Sequence, residues 1–273
     1  MRHEYYYYNK EQLLASPKIP MEVMADKPTV FQRIAREMAD EIKARNAAGK
    51  TTVFICPVGP IGQYPYFVEM VNSEHISLKN CWFINMDEYL GDDMQWISMD
   101  HPLSFRGFME RTVYSKINPD LNVPEDHRVF PDPNHLDYIP QLIEKLGGVD
   151  VCFGGIGING HLAFNEADPT KTVEKFKNLK TRVLPITPET RTANAIGDFG
   201  GRLEDMPTHC VTIGFYEIYH AKKIRLGIFR DWHRAVARRA GYGDMTAQFP
   251  VSILADHPDA LMRMTEDVAS LED

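Results

Sequence analysis

The sequence predicts an α/β protein built on a mainly parallel sheet covered by helices on both faces. Three observations lead there. Short apolar runs of strand length alternate with amphipathic helical stretches along the chain. One such run, Val149 to Phe153, opens directly into a glycine-rich turn, Gly154-Gly-Ile-Gly-Ile-Asn-Gly-His161. The 273 residues, 44% hydrophobic and 25% charged, suffice for a core of ordinary size.

Residues 1–27 read as an N-terminal arm, with Tyr5-Tyr-Tyr-Tyr8 and the prolines Pro17 and Pro20; residues 28–273 read as one α/β domain. Pro28 suits a first helical turn, and Val30, Ile34, Met38 and Ile42 repeat at four-residue spacing on one helix face. Thr51 to Cys56 is a strand, followed by Pro57-Val-Gly-Pro-Ile-Gly62 and a helix from Gln63 to Val71. A strand, glycine turn and helix in that order can offer backbone N–H groups to an anion. It can equally be an ordinary tight turn, and two prolines subtract donors here.

Cys81 to Met86 is a second buried strand that ends in Asp87-Glu88-Tyr89. Adjacent carboxylates there are candidate acid–base groups, or a solvated turn with Asp87 as an N-cap. Helices are expected from Leu103 to Ser115 and from Leu136 to Leu146, the latter stopped by Gly147-Gly148. After Val149 to Phe153, the turn delivers His161, Asn165 and Glu166 beyond a strand's carboxyl end, where open parallel sheets bind ligands. Residues 167–181 are lysine-rich and read as a loop or lid. Thr181 to Ile186 is a strand, and Thr187-Pro188 starts a helix that carries Arg191. His209 to Phe215 and Lys222 to Phe229 are strands, 230–239 a helix, and Val251 to Ala255 and Ala260 to Thr265 closing strands.

The formal net charge of −8 argues against non-specific nucleic-acid binding. Four well-separated cysteines without a C-x-x-C pair fit free thiols in a reducing cytoplasm. No apolar leader and no stretch of roughly 18–20 apolar residues is found, so no membrane partner is expected. His161 and Glu166 lack the i, i+4 spacing of a helical zinc pair, and no metal is expected. The tyrosine-rich arm leaves a homo-oligomer open.

Asn85-Met-Asp-Glu-Tyr89, His101-Pro-Leu-Ser104, Gly154 through Glu166, and Thr190-Arg191, in this order, resemble the glucosamine-6-phosphate deaminase/isomerase family. The likeness extends to Val211-Thr-Ile-Gly214 and His257-Pro-Asp-Ala-Leu261 and covers the chain from about residue 30 onward. The sister family of 6-phosphogluconolactonases matches less well at Asp87 to Tyr89 and at Ala163 to Glu166. The resemblance implies a Rossmann-like domain, no organic cofactor, a small sugar substrate, and conversion of an aldose 2-amine to a ketose with loss of ammonia. It implies that Asp87 moves the C2 proton, that His161 opens the ring, and that Glu166 orients His161. Gly59, Gly62, Glu88, Gly160 and Arg191 would bind substrate, and His233 would stand where the family has a phosphate-binding lysine.

Three departures bear on this. Asn159 replaces a family aspartate; it keeps the shape but cannot act as a base, and it leaves the histidine less readily protonated than a carboxylate would. The phosphate turn has no Ser or Thr, and the late lysine is gone. Three readings stay open: an anion site rebuilt from Arg191, Arg230, His233 or Arg234; a diverged paralogue acting on a different sugar or sugar acid; or a catalytically weakened sugar-phosphate-binding protein.

Overall fold

The computed structural model describes residues 3–271. Its strands are β1 (Met21–Met24), β2 (Thr52–Cys56), β3 (Cys81–Asn85), β4 (Asp87–Leu90), β5 (Arg128–Val129), β6 (Val151–Gly154), β7 (Arg182–Pro185), β8 (His209–Thr212), β9 (Lys223–Ile228) and β10 (Ala260–Thr265). Seven form one sheet in the order β1-β10-β9-β6-β2-β3-β5, with every neighbouring pair parallel. The other three, β4-β8-β7, form a small antiparallel sheet.

The parallel sheet is buried on both faces, which explains why its strands read as continuous apolar runs. Along β2, Val53 and Ile55 enter one core while Phe54 and Cys56 enter the other. Helices Lys27–Ala47 and Gln63–Ser73 cover the second face, and Tyr138–Lys145 and His233–Tyr242 the first. In Lys27–Ala47, the four residues spaced by four are all buried, and Asp26 caps the start by accepting from Thr29 N. The fold is therefore the three-layer Rossmann-like α/β arrangement that the alternating pattern predicts.

Three local expectations change. Residues 21–24, inside the stretch read as an arm, form the edge strand β1 beside β10. Residues 251–255 are not a strand: Pro250 fixes φ and lacks an N–H, and the buried segment coils as the 3-10 helix Pro250–Asp256. The stretch 167–181 is no lid over the site. Its short helix Val173–Lys177 buries Phe176 in the core, and Lys177 pairs with Asp256 at 2.5 Å.

Candidate active site

A cavity of about 420 Å³ opens at the carboxyl ends of β2, β3, β6 and β9. That is the expected place in a parallel sheet, because the loops diverge there and leave a crevice. Pro57 to Ile61 line it from β2, Asp87 from β3, Gly155 to His161 from β6, and Phe229 to His233 from β9.

Asp87 sits where the chain leaves the parallel sheet and enters the antiparallel one. Met86 N donates to Cys56 O, and Asp87 then begins β4, opposite Thr212. Its side chain lines the cavity, yet the residue is only 6% exposed. Burial, reinforced by neighbouring Glu88, pushes its carboxyl well above the usual carboxylate range.

Glu88 is not in the cavity. Successive residues of a strand point to opposite faces, so when Asp87 faces the ligand space Glu88 cannot. Its carboxylate instead accepts from Ser104 Oγ at 2.9 Å and from the backbone N–H groups of Phe105 and Arg106 at 3.0 and 2.9 Å. It thereby anchors the start of helix Phe105–Thr112 behind the pocket wall formed by Leu103 to Phe105. Glu88→Ala leaves these buried donors unpaired. It should lower unfolding stability by roughly 2 kcal/mol or more, read by urea denaturation, whereas Glu88→Gln retains part of that.

The β6 turn places the remaining predicted chemistry. A Cβ on Gly157 would lie 2.0 Å from the His161 ring, so only glycine leaves room for the imidazole. Ala163 adopts a left-handed φ of 53°, an uncommon state for a residue with a side chain, and also lines the cavity. His161 Nδ1 lies 2.8 Å from Asn159 Oδ1, and Asn159 Nδ2 donates to Glu166 Oε2 at 2.8 Å. An amide oxygen only accepts, so Nδ1 carries the hydrogen and Nε2 holds the lone pair. Thr190 Oγ1 adds a hydrogen bond to Glu166 Oε2 at 3.1 Å.

Burial would raise the Glu166 carboxyl. The His161 ring and the hydrogen bonds from His161, Asn159 and Thr190 outweigh it and hold the group at about 2. Depressed in this way, Glu166 stabilises the fold fully above its ordinary value of 4.5, and that contribution is lost as pH falls toward about 2. Asn159→Asp would place a second carboxylate on the same ring and favour the imidazolium. The expected result is an upward move of the acidic limb in the pH–rate profile, with binding of a ground-state analogue little changed.

Several residues expected to bind substrate do other work. Gly59 does line the cavity. Gly62 does not: a Cβ there would strike Phe31 at 2.2 Å, so it is a packing glycine. Gly160 does not either; it turns the chain at φ 82° against Phe249. Arg191 lies outside the cavity lining, and its guanidinium donates to the carbonyls of Leu203 and Met206 at 3.2 and 2.9 Å. His233 lines the cavity but is no cation. Its Nδ1 accepts from Phe229 N and Arg230 N, so Nε2–H donates to Ile156 O, and burial with Arg230 nearby pushes it down to about 3. Sequence reasoning named Thr190 and Arg230 but missed that Thr190 reaches Glu166 and that Arg230 pairs, at 3.2 Å, with Asp198 in the cavity wall.

No protein-family model matches the chain. The glucosamine-6-phosphate deaminase of Clostridium perfringens strain 13 is 30% identical over 247 residues, covering 87% of this chain and 93% of the relative. The Thermoanaerobacter pseudethanolicus glucosamine-6-phosphate deaminase is 29% identical over 246 residues, with 88% and 92% covered. Among solved structures, a monomeric glucosamine-6-phosphate deaminase superposes with a TM-score of 0.80 at 26% identity, over 93% of this chain and all of that one. The 6-phosphogluconolactonase of Trypanosoma brucei shares the fold at a TM-score of 0.66 and 15% identity, over 93% and 98%.

Proposed function

Because the chain belongs to the glucosamine-6-phosphate deaminase family, we propose that it converts a 2-amino aldose to the ketose with release of ammonia. This is the reaction that takes glucosamine 6-phosphate to fructose 6-phosphate. The observation that carries the reading is one cavity lined by two complementary groups. Asp87 is a buried carboxylate without a hydrogen-bond partner among the described residues, and His161 is an imidazole held in one tautomer by Asn159 and Glu166.

The ring must open first. His161 Nε2 takes the proton from the C1 hydroxyl and returns it to the ring oxygen, and Glu166 steadies the imidazolium formed between the two transfers. Asp87 then takes the C2 proton and delivers it to C1 through an enolamine. The C2 imine that results adds water and loses ammonia, leaving the ketone. Burial suits Asp87 to this step, because a carboxylate with a raised pKa is the stronger base once charged. Asn159 keeps the hydrogen-bond chain to His161 intact, which favours an active enzyme over a weakened binding protein.

Four free, buried cysteines support a cytoplasmic location. The arm packs on its own chain, with Arg238 donating to Tyr8 O and Tyr8 against Tyr242. That favours a monomer over a homo-oligomer, in line with the solved relative described as monomeric; light scattering tests it. The reaction itself is tested by proton NMR in D₂O with glucosamine 6-phosphate and with glucosamine, following ammonia and exchange at C1 and C2. Ketose and ammonia with deuterium at C1 are expected from at least one sugar. Neither ammonia nor C2 exchange from either would reject the reading.

A further inference from the structure

Strand β4 puts a second polar side chain on the same face as Asp87. Residues alternate along a strand, so Tyr89 points with Asp87 while Glu88 points away. Tyr89 lines the cavity and its ring is held in place: it is 2% exposed, with the Phe105 and Phe164 rings at 5.0 and 5.4 Å between centroids. Asn194, half-buried on helix Pro188–Asp198, lines the cavity too, and its Nδ2 donates to the Tyr89 hydroxyl at 3.0 Å. That bond leaves part of each side chain unspent. Among the described residues, the Tyr89 O–H meets no acceptor and Asn194 Oδ1 meets no donor. Ser104 and His233 line the same cavity but commit their polar atoms within the protein, Ser104 Oγ to Glu88 and Gly107 N and the His233 ring to backbone.

Burial holds the Tyr89 phenol above its ordinary value, with Asp87 and Asp198 adding to the effect, so the group stays a donor at neutral pH. A spare O–H beside a spare amide oxygen matches one hydroxyl, which accepts and donates at once. Exchanging the amide oxygen and nitrogen swaps the roles and leaves the same complement, one donor and one acceptor. An anion or an ammonium group would satisfy only one of the two. Residues two apart on a strand stand about 7 Å apart. With C1 and C2 of a hexose at Asp87, the next hydroxyls along its carbon chain are those on C3 and C4. A sugar without that hydroxyl leaves a buried O–H unmet, which costs binding.

We infer that Tyr89 and Asn194 bind and select the C3 or C4 hydroxyl of the amino sugar phosphate, Tyr89 donating to its oxygen and Asn194 accepting its hydrogen. The inference rests on the deaminase reading above and adds two specificity-determining residues to that site.

The test is a cycle of variants against ligands, by calorimetric titration of the full chain. The ligands are 2-amino-2-deoxy-D-glucitol 6-phosphate, an open-chain analogue that cannot react, and its 3-deoxy and 4-deoxy counterparts. Tyr89→Phe keeps the ring and should weaken binding of the parent analogue about tenfold. Against one of the two deoxy compounds, the unaltered protein should lose about as much, and Tyr89→Phe should then make no further difference. With glucosamine 6-phosphate, Tyr89→Phe should raise KM about tenfold and leave kcat within about twofold, as expected for a contact made equally in ground and transition states. Unchanged binding of the parent analogue by Tyr89→Phe overturns the inference. So does a tenfold penalty that persists against both deoxy compounds, because Tyr89 would then act only through the shape of the wall. If Tyr89→Phe binds none of the three, Asn194→Ala carries the same cycle, and loss of all binding there too marks the pair as structural and overturns the inference. Failure of the unaltered protein to bind the parent analogue overturns it as well. If the hydroxyl dependence appears but glucosamine 6-phosphate yields no ammonia, the pair stands and the deaminase reading fails.

Discussion

Asp87→Asn will abolish most turnover, lowering kcat by roughly 10²–10⁴-fold, the range that a general base supplies. Amide and carboxylate have nearly the same shape, so the cavity persists and a glucitol analogue still binds. Deuterium incorporation at C1 disappears together with ammonia release, which separates a lost base from a lost pocket. The same change should raise thermal stability at neutral pH. The folded-state value of Asp87 lies above its ordinary 3.8. Its stabilising contribution is therefore complete below that ordinary value and is lost as pH rises through the elevated one. Above that point the fold carries a buried charge without a partner, and asparagine removes it. Activity shows the mirror image: the base is needed charged, so the acid-side loss of rate begins at a higher pH than an exposed carboxylate would give. A variant that is less stable than the parent at pH 8 would contradict the burial argument.

His161→Gln is the second large effect, again roughly 10²–10⁴-fold in kcat with the natural ring-closed sugar. Here the deficit lies in ring opening, so the two variants differ in kind. With His161 replaced, Asp87 still exchanges the C2 proton of whatever open-chain aldehyde forms spontaneously. Residual turnover should then become insensitive to the aldose's solvent-exchange isotope effect at C2, because opening precedes and limits it. Retention of that isotope effect at full size would place His161 outside the ring-opening step.

The fold was legible because its signals are local. Strands buried on both faces must be apolar throughout, and β2, β3, β6 and β9 each end in a glycine, proline or acidic turn that marks where the sheet stops. The grouping of the candidate acid–base residues was legible for the same reason: Asn159, His161 and Glu166 share one turn, and Asp87 follows directly on a buried strand. What failed depends on direction. Glu88 and Asp87 are neighbours in sequence but opposed across a strand, and Arg191 occupies the helix face away from Thr190, which does reach Glu166. Gly62 and Gly160 look like ligand-cradling glycines, yet each accommodates a phenylalanine from a distant segment, Phe31 or Phe249. His233 was read as a charge because sequence position cannot show that three backbone groups claim its ring. Arg230 and Asp198 belong to different elements and become a pair only once the sheet and helix Pro188–Asp198 are assembled.

The pairing of β1 with β10 has a consequence for how the chain is made. Arg263 meets Glu22 across 241 residues of sequence, and the strand register sets Met21 beside Met262. At ribosomal rates of about 5–20 residues per second, β1 leaves the ribosome roughly 10–50 s before its sheet neighbour β10 exists. During that interval it is a nascent segment with an unpaired hydrogen-bonding edge, open to chaperones and to neighbouring polysomes. Its four-residue length and the charge on Glu22 are the features that keep such a waiting edge from recruiting other strands.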